Sequence, residues 1–295
     1  MFPLDRLSEI QQRPQDFKLL ERVPLTRDDV LTRLPIVLQA AEPNERLISV
    51  VFLDTETTGM SPVKDKIIEL GLVRCTVSLD RKLILSVDRV YDAYEDPKVP
   101  IPEEITRLTG INDDMVRGKA FNQEEVLAFF ADHPLTVAHN AKFDRPFFDR
   151  RFSSLGDLAW ACSQNEIDWH MLGYGGYKLE FLVQSSGYFY DAHRACNDCL
   201  ALCFLMVQMP DALEMLLTNS LQLVYKIEAV NSPFNVKDLL KEQGYRWDSA
   251  QKLWYIQVVS PEEAVAQLNY LQSIYPEALN HVKITSYSAQ DRYRS

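Results

Sequence analysis

The 295-residue chain is 46% hydrophobic and 25% charged, enough apolar content for one large domain and a smaller one. Its formal charge of −11 excludes a protein that coats nucleic acid through a broad basic surface. No apolar run approaches the ~20 residues of a membrane span. The Met1-Phe-Pro-Leu-Asp-Arg6 start has no basic region leading into an apolar stretch, and the five cysteines are an odd number that suits a reducing compartment, so the expectation is a cytoplasmic protein without membrane contact.

Residues 1–46 read as a helical N-terminal extension. Asp16 to Val23 and Thr26 to Leu34 place apolar residues at helical spacing, and Thr26 with Asp29 has the form of a capping box. Strands are expected over Leu47–Leu53, Lys66–Val73 and Leu83–Tyr91, with Gly71 marking a bulge or a close backbone approach. Helices follow at Pro102–Leu108, stopped by Gly110, and after the cap Asn122. A short buried strand, Leu135–Ala138, precedes helices over 142–152, 178–185 and 194–207. Strands first, then helices with one more strand, predict an α/β fold with a mixed sheet flanked by helices over residues 47–214. After Pro210 the pattern changes. A strand at 221–230, a helix at 236–243, a hairpin across Asp248–Lys252 and a helix at 262–273 make a small α+β accessory domain over 215–295.

The acidity is confined to one of these parts. Residues 1–46 hold 7 basic and 8 acidic side chains, residues 47–214 hold 16 and 26, and residues 215–295 hold 8 and 8. The middle segment also contains three stretches that carry chemistry: Asp54-Thr-Glu56, Asn140-Ala-Lys-Phe-Asp144, and His193 with Asp198 five residues on. Asp54 and Glu56 are two apart on an extended segment, so both carboxylates point to one side. Asp144 falls in the first turn of a helix, which favours an acid. Four converging acids repel one another unless a cation neutralises them, and hard oxygen ligands suit magnesium or manganese. His193 then reads as a proton acceptor, and the implied chemistry is metal-assisted attack of water on a phosphodiester. His139 reads instead as a strand-end histidine satisfied by its neighbours. Phe143, Phe147 and Phe148 read as core, with Phe143 or Phe147 able to reach a base. Cys196, Cys199 and Cys203 share one helix and have no partner pair, so a zinc site is not expected.

Taken in order, the three motifs resemble those of the DEDDh 3′–5′ exonucleases, the family of the epsilon proofreading subunit of bacterial DNA polymerase III and its stand-alone homologues. Thr57-Thr58-Gly59, Leu108-Thr-Gly-Ile111 and Ala195 add to the match over roughly 47–210. The resemblance implies a ribonuclease H-like sheet and two Mg²⁺ or Mn²⁺ ions. Asp54 would bridge them, Glu56 and Asp198 would complete one site, Asp144 would serve the other, and His193 would deprotonate the attacking water. It also implies that the backbone at Thr55 and Thr57, with Asn140, contacts the terminal nucleotide and that Met60 wedges against the terminal bases; Phe143 joins this substrate set. The flanking pieces resemble a bacterial subgroup through Trp160-Ala-Cys-Ser163, Ile167-Asp-Trp169, Tyr245-Arg-Trp247 and Trp254-Tyr255. Trp247 and Trp254 read as the core of their own hairpin, with stacking on single-stranded bases as the alternative.

The expected activity is release of 5′-mononucleotides from DNA 3′ ends in proofreading or repair. The expected partners are single-stranded or frayed DNA 3′ ends and a DNA polymerase or other replication or repair protein. Trimming of RNA on the same fold, and a non-catalytic nucleic-acid or polymerase-binding module, are the alternatives; the intact five positions argue against the second.

Overall fold

The computed structural model of the protein describes residues 4–27, 29–275, 277 and 280–294. In chain order the regular elements are α1 (Leu7–Gln12), β1 (Glu21–Arg22), β2 (Ile36–Val37), β3 (Leu47–Thr57), β4 (Ile67–Ser78) and β5 (Leu83–Tyr94). There follow α2 (Glu103–Thr109), α3 (Asp113–Val116), α4 (Gln123–Phe129), β6 (Leu135–Ala138), α5 (Ala141–Arg151), β7 (Trp160–Cys162), α6 (Leu179–Ser185), β8 (Tyr188–Phe189) and α7 (Ala195–Gln208). The chain continues through α8 (Pro210–Leu221), β9 (Val224–Ala229), α9 (Lys237–Glu242), β10 (Arg246–Asp248), β11 (Leu253–Val258), α10 (Pro261–Ile274) and β12 (Lys283–Tyr287). The residues fall into two compact units, Met1–Leu217 with Tyr293–Ser295, and Thr218–Arg292.

The first unit is built on a six-stranded mixed sheet in the order β2-β5-β4-β3-β6-β7. The β2-β5-β4-β3 part is antiparallel, and β6 and β7 join parallel to β3. This is the ribonuclease H-like arrangement expected, with helices on both faces. Central β3 reads Leu-Ile-Ser-Val-Val-Phe-Leu because both of its faces are covered, as in any strand sandwiched between helix layers. Val50 and Phe52 join the core that includes α7, while Val51 and Leu53 join the core that includes Phe147 and Phe148 of α5. Caps fall where the sequence places them. Gly110 ends α2 in the left-handed region at φ 75°, and Asn122 accepts a hydrogen bond from the Glu125 N–H at the start of α4.

Residues before β3 depart from the expected helical extension. The only α-helix described there is α1; Pro14–Asp16, Pro24–Thr26 and Leu31–Arg33 are single 3₁₀ turns. Prolines cut the segment into pieces too short for a helix to propagate, and tertiary pairing then decides. Glu21 and Arg22 pair in parallel with Tyr188 and Phe189, and Val23 and Leu25 are buried in the main core. Thr26 donates its hydroxyl to the Val23 carbonyl rather than capping a helix; Asp28, within that expected helix, lies outside the described residues.

The second unit has a four-stranded antiparallel sheet, β10-β11-β9-β12, whose core joins Ile227 and Ala229 to Leu240, Ala264 and Leu271 of the helices. Trp254 packs against this core, whereas Trp247 is 51% exposed with its ring 5.5 Å from that of Trp254. The hairpin-core expectation therefore describes Trp254 better than Trp247. Strand β12 was not anticipated. No single helix among the described residues is long and apolar enough to cross a membrane.

Candidate active site

The C-terminal end of β3 carries Asp54 and Glu56, which stand opposite Gly71 and Glu69 of β4. Helix α7 closes on this strand end from one face. A Cβ on Gly71 would lie 2.3 Å from the Ala195 carbonyl carbon and 2.4 Å from the Cys196 nitrogen, so only glycine lets the first turn of α7 sit this close. The Cys199 thiol reaches the Gly71 carbonyl at 3.4 Å. This seating delivers Asp198, and ligand oxygens of Asp54, Glu56 and Asp198 all lie within 4.8 Å of one another.

Asp144 comes from α5 on the opposite face. It is 2% exposed, and its Oδ1 accepts from the Thr55 N–H at 3.1 Å and from the Thr55 hydroxyl at 2.8 Å. It is not part of the 4.8 Å group, although its charge acts on Asp54. Asp198 is also held at both oxygens. Tyr190 donates its hydroxyl to Oδ1 at 2.8 Å and the Arg194 N–H donates to Oδ2 at 3.0 Å.

Electrostatics set this group apart from an ordinary acidic surface. Burial first, then the charges of Asp144, Asp198, Glu56 and Glu69, push Asp54 well above the usual carboxylate range. Burial, then Asp198 and Glu69, push Glu56 up to about 8, with Arg194 opposing. Burial raises Asp144 to about 7 against the hydrogen bonds from Thr55. Burial likewise raises Asp198 to about 6 against the hydrogen bond from Tyr190. Held together in this way, the carboxylates need neutralisation by protons or by a cation. An all-oxygen donor set fits a hard divalent ion, with Asp54, Glu56 and Asp198 as the residues placed to hold it.

The other expected residues are distributed as follows. His193 lies exposed at φ 60° just before α7, and its imidazole makes no side-chain hydrogen bond among the described residues. His139 is held on both sides: Nδ1 is 2.9 Å from the Ser163 hydroxyl and Nε2 is 2.6 Å from the Tyr177 carbonyl. Burial lowers its pKa to about 4, consistent with a neutral ring that donates to Tyr177 and accepts from Ser163. Thr55 is buried, with its N–H and hydroxyl occupied by Asp144, and Thr57 donates its hydroxyl to the Gly59 carbonyl. Asn140 is exposed, Met60 is 79% exposed, and Phe143 packs against Phe147 with ring centroids 5.1 Å apart.

Two residues beside the site were not singled out in the sequence. Tyr190 orients Asp198, and Glu69 binds the turn after His193. The signal for Glu69 was present: a lone acid within the apolar run Ile67-Ile-Glu-Leu-Gly-Leu-Val73 requires a buried partner.

A mixed sheet of ribonuclease H type, with clustered acids at the end of its central strand and a histidine at the mouth of the helix that supplies the last acid, defines the class of carboxylate-centred DEDDh exonucleases. The exonuclease family model RNase_T matches residues 51–206, and the chain belongs to this family. Among the relatives, the PolC-type DNA polymerase III of Caldanaerobacter subterraneus subsp. tengcongensis is 31% identical over 191 residues, covering 61% of this chain and 13% of the polymerase. That of Halalkalibacterium halodurans is 42% identical over 110 residues, covering 36% of this chain and 7% of the polymerase. The chain thus corresponds to a small part of each polymerase. Exonuclease I from E. coli, solved in a zinc-bound complex with single-stranded DNA, shares the fold with a TM-score of 0.51 at 14% identity, over 80% of this chain and 72% of that one.

Proposed function

We propose that the protein is a divalent-metal-dependent 3′–5′ exonuclease that releases 5′-mononucleotides from DNA 3′ ends in proofreading or repair. The observation that carries the reading is the approach of Asp54, Glu56 and Asp198 to within 4.8 Å in a chain of the exonuclease family. Similarity to the polymerase relatives favours DNA over RNA and favours a polymerase or another replication or repair protein as partner.

In this reading Asp54, Glu56, Asp198 and Asp144 hold two Mg²⁺ or Mn²⁺ ions. Such ions, when bound, supply Lewis-acid activation of water and stabilisation of charge on the leaving 3′ oxygen. The protein's own groups do the rest. His193, exposed at the mouth of α7, accepts a proton from the attacking water. Thr55 fixes the rotamer of Asp144, and Tyr190 fixes that of Asp198, so neither carboxylate has to be ordered during the reaction. Met60 presents an apolar side chain to the last bases, and Asn140, Thr57 and Phe143 line the terminal nucleotide. The acidity of residues 47–214, with 26 acids against 16 bases, favours a short grip on a frayed end over a long duplex track.

The test is incubation with Mg²⁺ or Mn²⁺ and 5′-labelled single-stranded DNA, mismatched duplex and RNA of equal sequence, with Asp54→Ala as control. The reading expects a ladder on both DNA substrates that Asp54→Ala abolishes. Faster decay of RNA would replace DNA with RNA as substrate, and no ladder on any substrate would overturn the enzyme assignment.

A further inference from the structure

The turn that carries His193 is held from underneath by a buried acid. Glu69, on β4 directly opposite Glu56, is 0% exposed. Its Oε1 accepts from Arg194 Nε at 3.0 Å and from Arg194 Nη2 at 2.8 Å. Its Oε2 accepts from the Ala195 N–H, at the start of α7, at 2.9 Å. One carboxylate therefore binds both residues that follow His193. The guanidinium also hydrogen-bonds to the Tyr94 hydroxyl and lies 5.6 Å from the centre of that ring. From the other side, the Arg194 N–H is held by Asp198.

His193 needs such support for two reasons. It occupies the left-handed region at φ 60°, which costs a residue with a Cβ free energy that its surroundings must offset. Its exposed imidazole has no side-chain hydrogen bond of its own among the described residues, so the position of the backbone sets the range its rotamers can reach. We infer that Glu69 is a positioning residue: through Arg194 and Ala195 it fixes the backbone of His193 so that the imidazole meets the attacking water. The inference rests on the exonuclease reading above and adds to it a residue outside the metal-binding set.

Arginine is the residue suited to this arrangement, because its planar fork engages one carboxylate through two nitrogens in a single orientation. A lysine at 194 would keep the charge and lose the orientation. A role confined to seating α7 would act on all reactions of the protein equally. A role exercised through His193 would disappear once the imidazole is gone.

A double-mutant cycle separates the two. Single-turnover rates on 5′-labelled single-stranded DNA with Mg²⁺ are measured for wild type, Glu69→Gln, His193→Ala and the double variant. Glu69→Gln is expected to slow the rate on the order of 10²-fold, the cost of misplacing a reacting group by about 1 Å, with KM unchanged. In the His193→Ala background it is expected to cost nothing further, and any change in Mn²⁺ affinity by calorimetry, which loss of the Glu69 charge beside Asp54 and Glu56 brings, is expected to be far smaller than the change in rate. Multiplying losses in the double variant, or a fall in Mn²⁺ affinity matching the loss of rate, would overturn the positioning role while leaving the exonuclease reading intact. An inactive wild type would overturn both. If Glu69→Gln does not fold, Arg194→Ala removes the same fork at a side chain that is 33% exposed, and the same cycle with His193→Ala applies. Arg194→Lys should retain most of the Arg194→Ala defect; full activity in the lysine variant would contradict the orienting role.

Discussion

Gly71→Ala tests the seating of α7 on β4. The added Cβ would stand 2.3 Å from the Ala195 carbonyl carbon, 2.4 Å from the Cys196 nitrogen and 2.5 Å from the Ala195 oxygen, whereas ordinary contact begins at 3.4 Å. The helix must withdraw by about 1 Å or the strand must bend, and no rotamer offers relief because all three neighbours are backbone atoms. Overpacking of this kind costs about 1–3 kcal/mol, which for a domain of this size lowers the melting temperature by roughly 2–4 °C per kcal/mol. The functional cost should be larger in proportion. Ala195 and Cys196 lie between His193 and Asp198, so the same displacement moves the proposed base and a carboxylate together, at an expected cost on the order of 10²-fold in rate. Thermal melting followed by circular dichroism and the laddering rate on 5′-labelled DNA measure the two effects. A Gly71→Ala protein with the wild-type melting temperature and rate would show that α7 is not seated against β4 in this way.

Three further outcomes are expected. Thr55→Val removes the hydroxyl from Asp144 and leaves the backbone N–H, so Mn²⁺ affinity by calorimetric titration should fall about 10–100-fold with the fold retained; unchanged affinity would separate Asp144 from the metal-binding set. Without divalent ions, stability should decline as pH rises. Burial and like charge push Glu56 up to about 8 and Asp144 up to about 7 in the fold, above their ordinary carboxylate values, so the unfolded chain releases protons first and the folded state loses its advantage between about pH 4 and 8. Melting with EDTA and with Mg²⁺ across that range should show the decline only with EDTA, and a flat EDTA profile would refute the like-charge account. In the second unit, Trp254→Ala should accelerate amide exchange in β9 and β11 far more than Trp247→Ala, because Trp254 packs on the core while Trp247 is 51% exposed.

The parts of the fold legible in the sequence are those governed by local rules. The apolar run ending in Asp54-Thr-Glu56 announces a covered central strand with two acids on one side, Gly110 marks a helix end by its left-handed backbone, and Asn122 marks a helix start by a side chain that caps it. The close approach anticipated at Gly71 is found against Ala195 and Cys196. Long-range pairing was hidden. Glu69 meets Ala195 across 126 residues, and no spacing rule connects a lone strand acid to a turn that far away. The same reason accounts for residues 16–34. Their apolar spacing suits a helix, but Val23 and Leu25 gain more from burial in the main core, and the Glu21–Arg22 backbone gains its partners from Tyr188 and Phe189. The Thr55 N–H and hydroxyl bond to Asp144 across 89 residues, a pairing that no spacing rule shows in the sequence.

The central claim is hydrolysis at the 3′ terminus that depends on Asp54, Glu56 and Asp198, the residues that would hold a divalent ion. One oligodeoxynucleotide, labelled at its 5′ end in one reaction and at its 3′ end in another, tests it most directly with Mg²⁺ present. The account predicts a ladder shortening one nucleotide at a time from the 5′ label and immediate release of a single labelled mononucleotide from the 3′ label, both abolished by Asp54→Ala. Early release of a 5′-labelled mononucleotide, internal cuts as first products, or full activity in Asp54→Ala would contradict it.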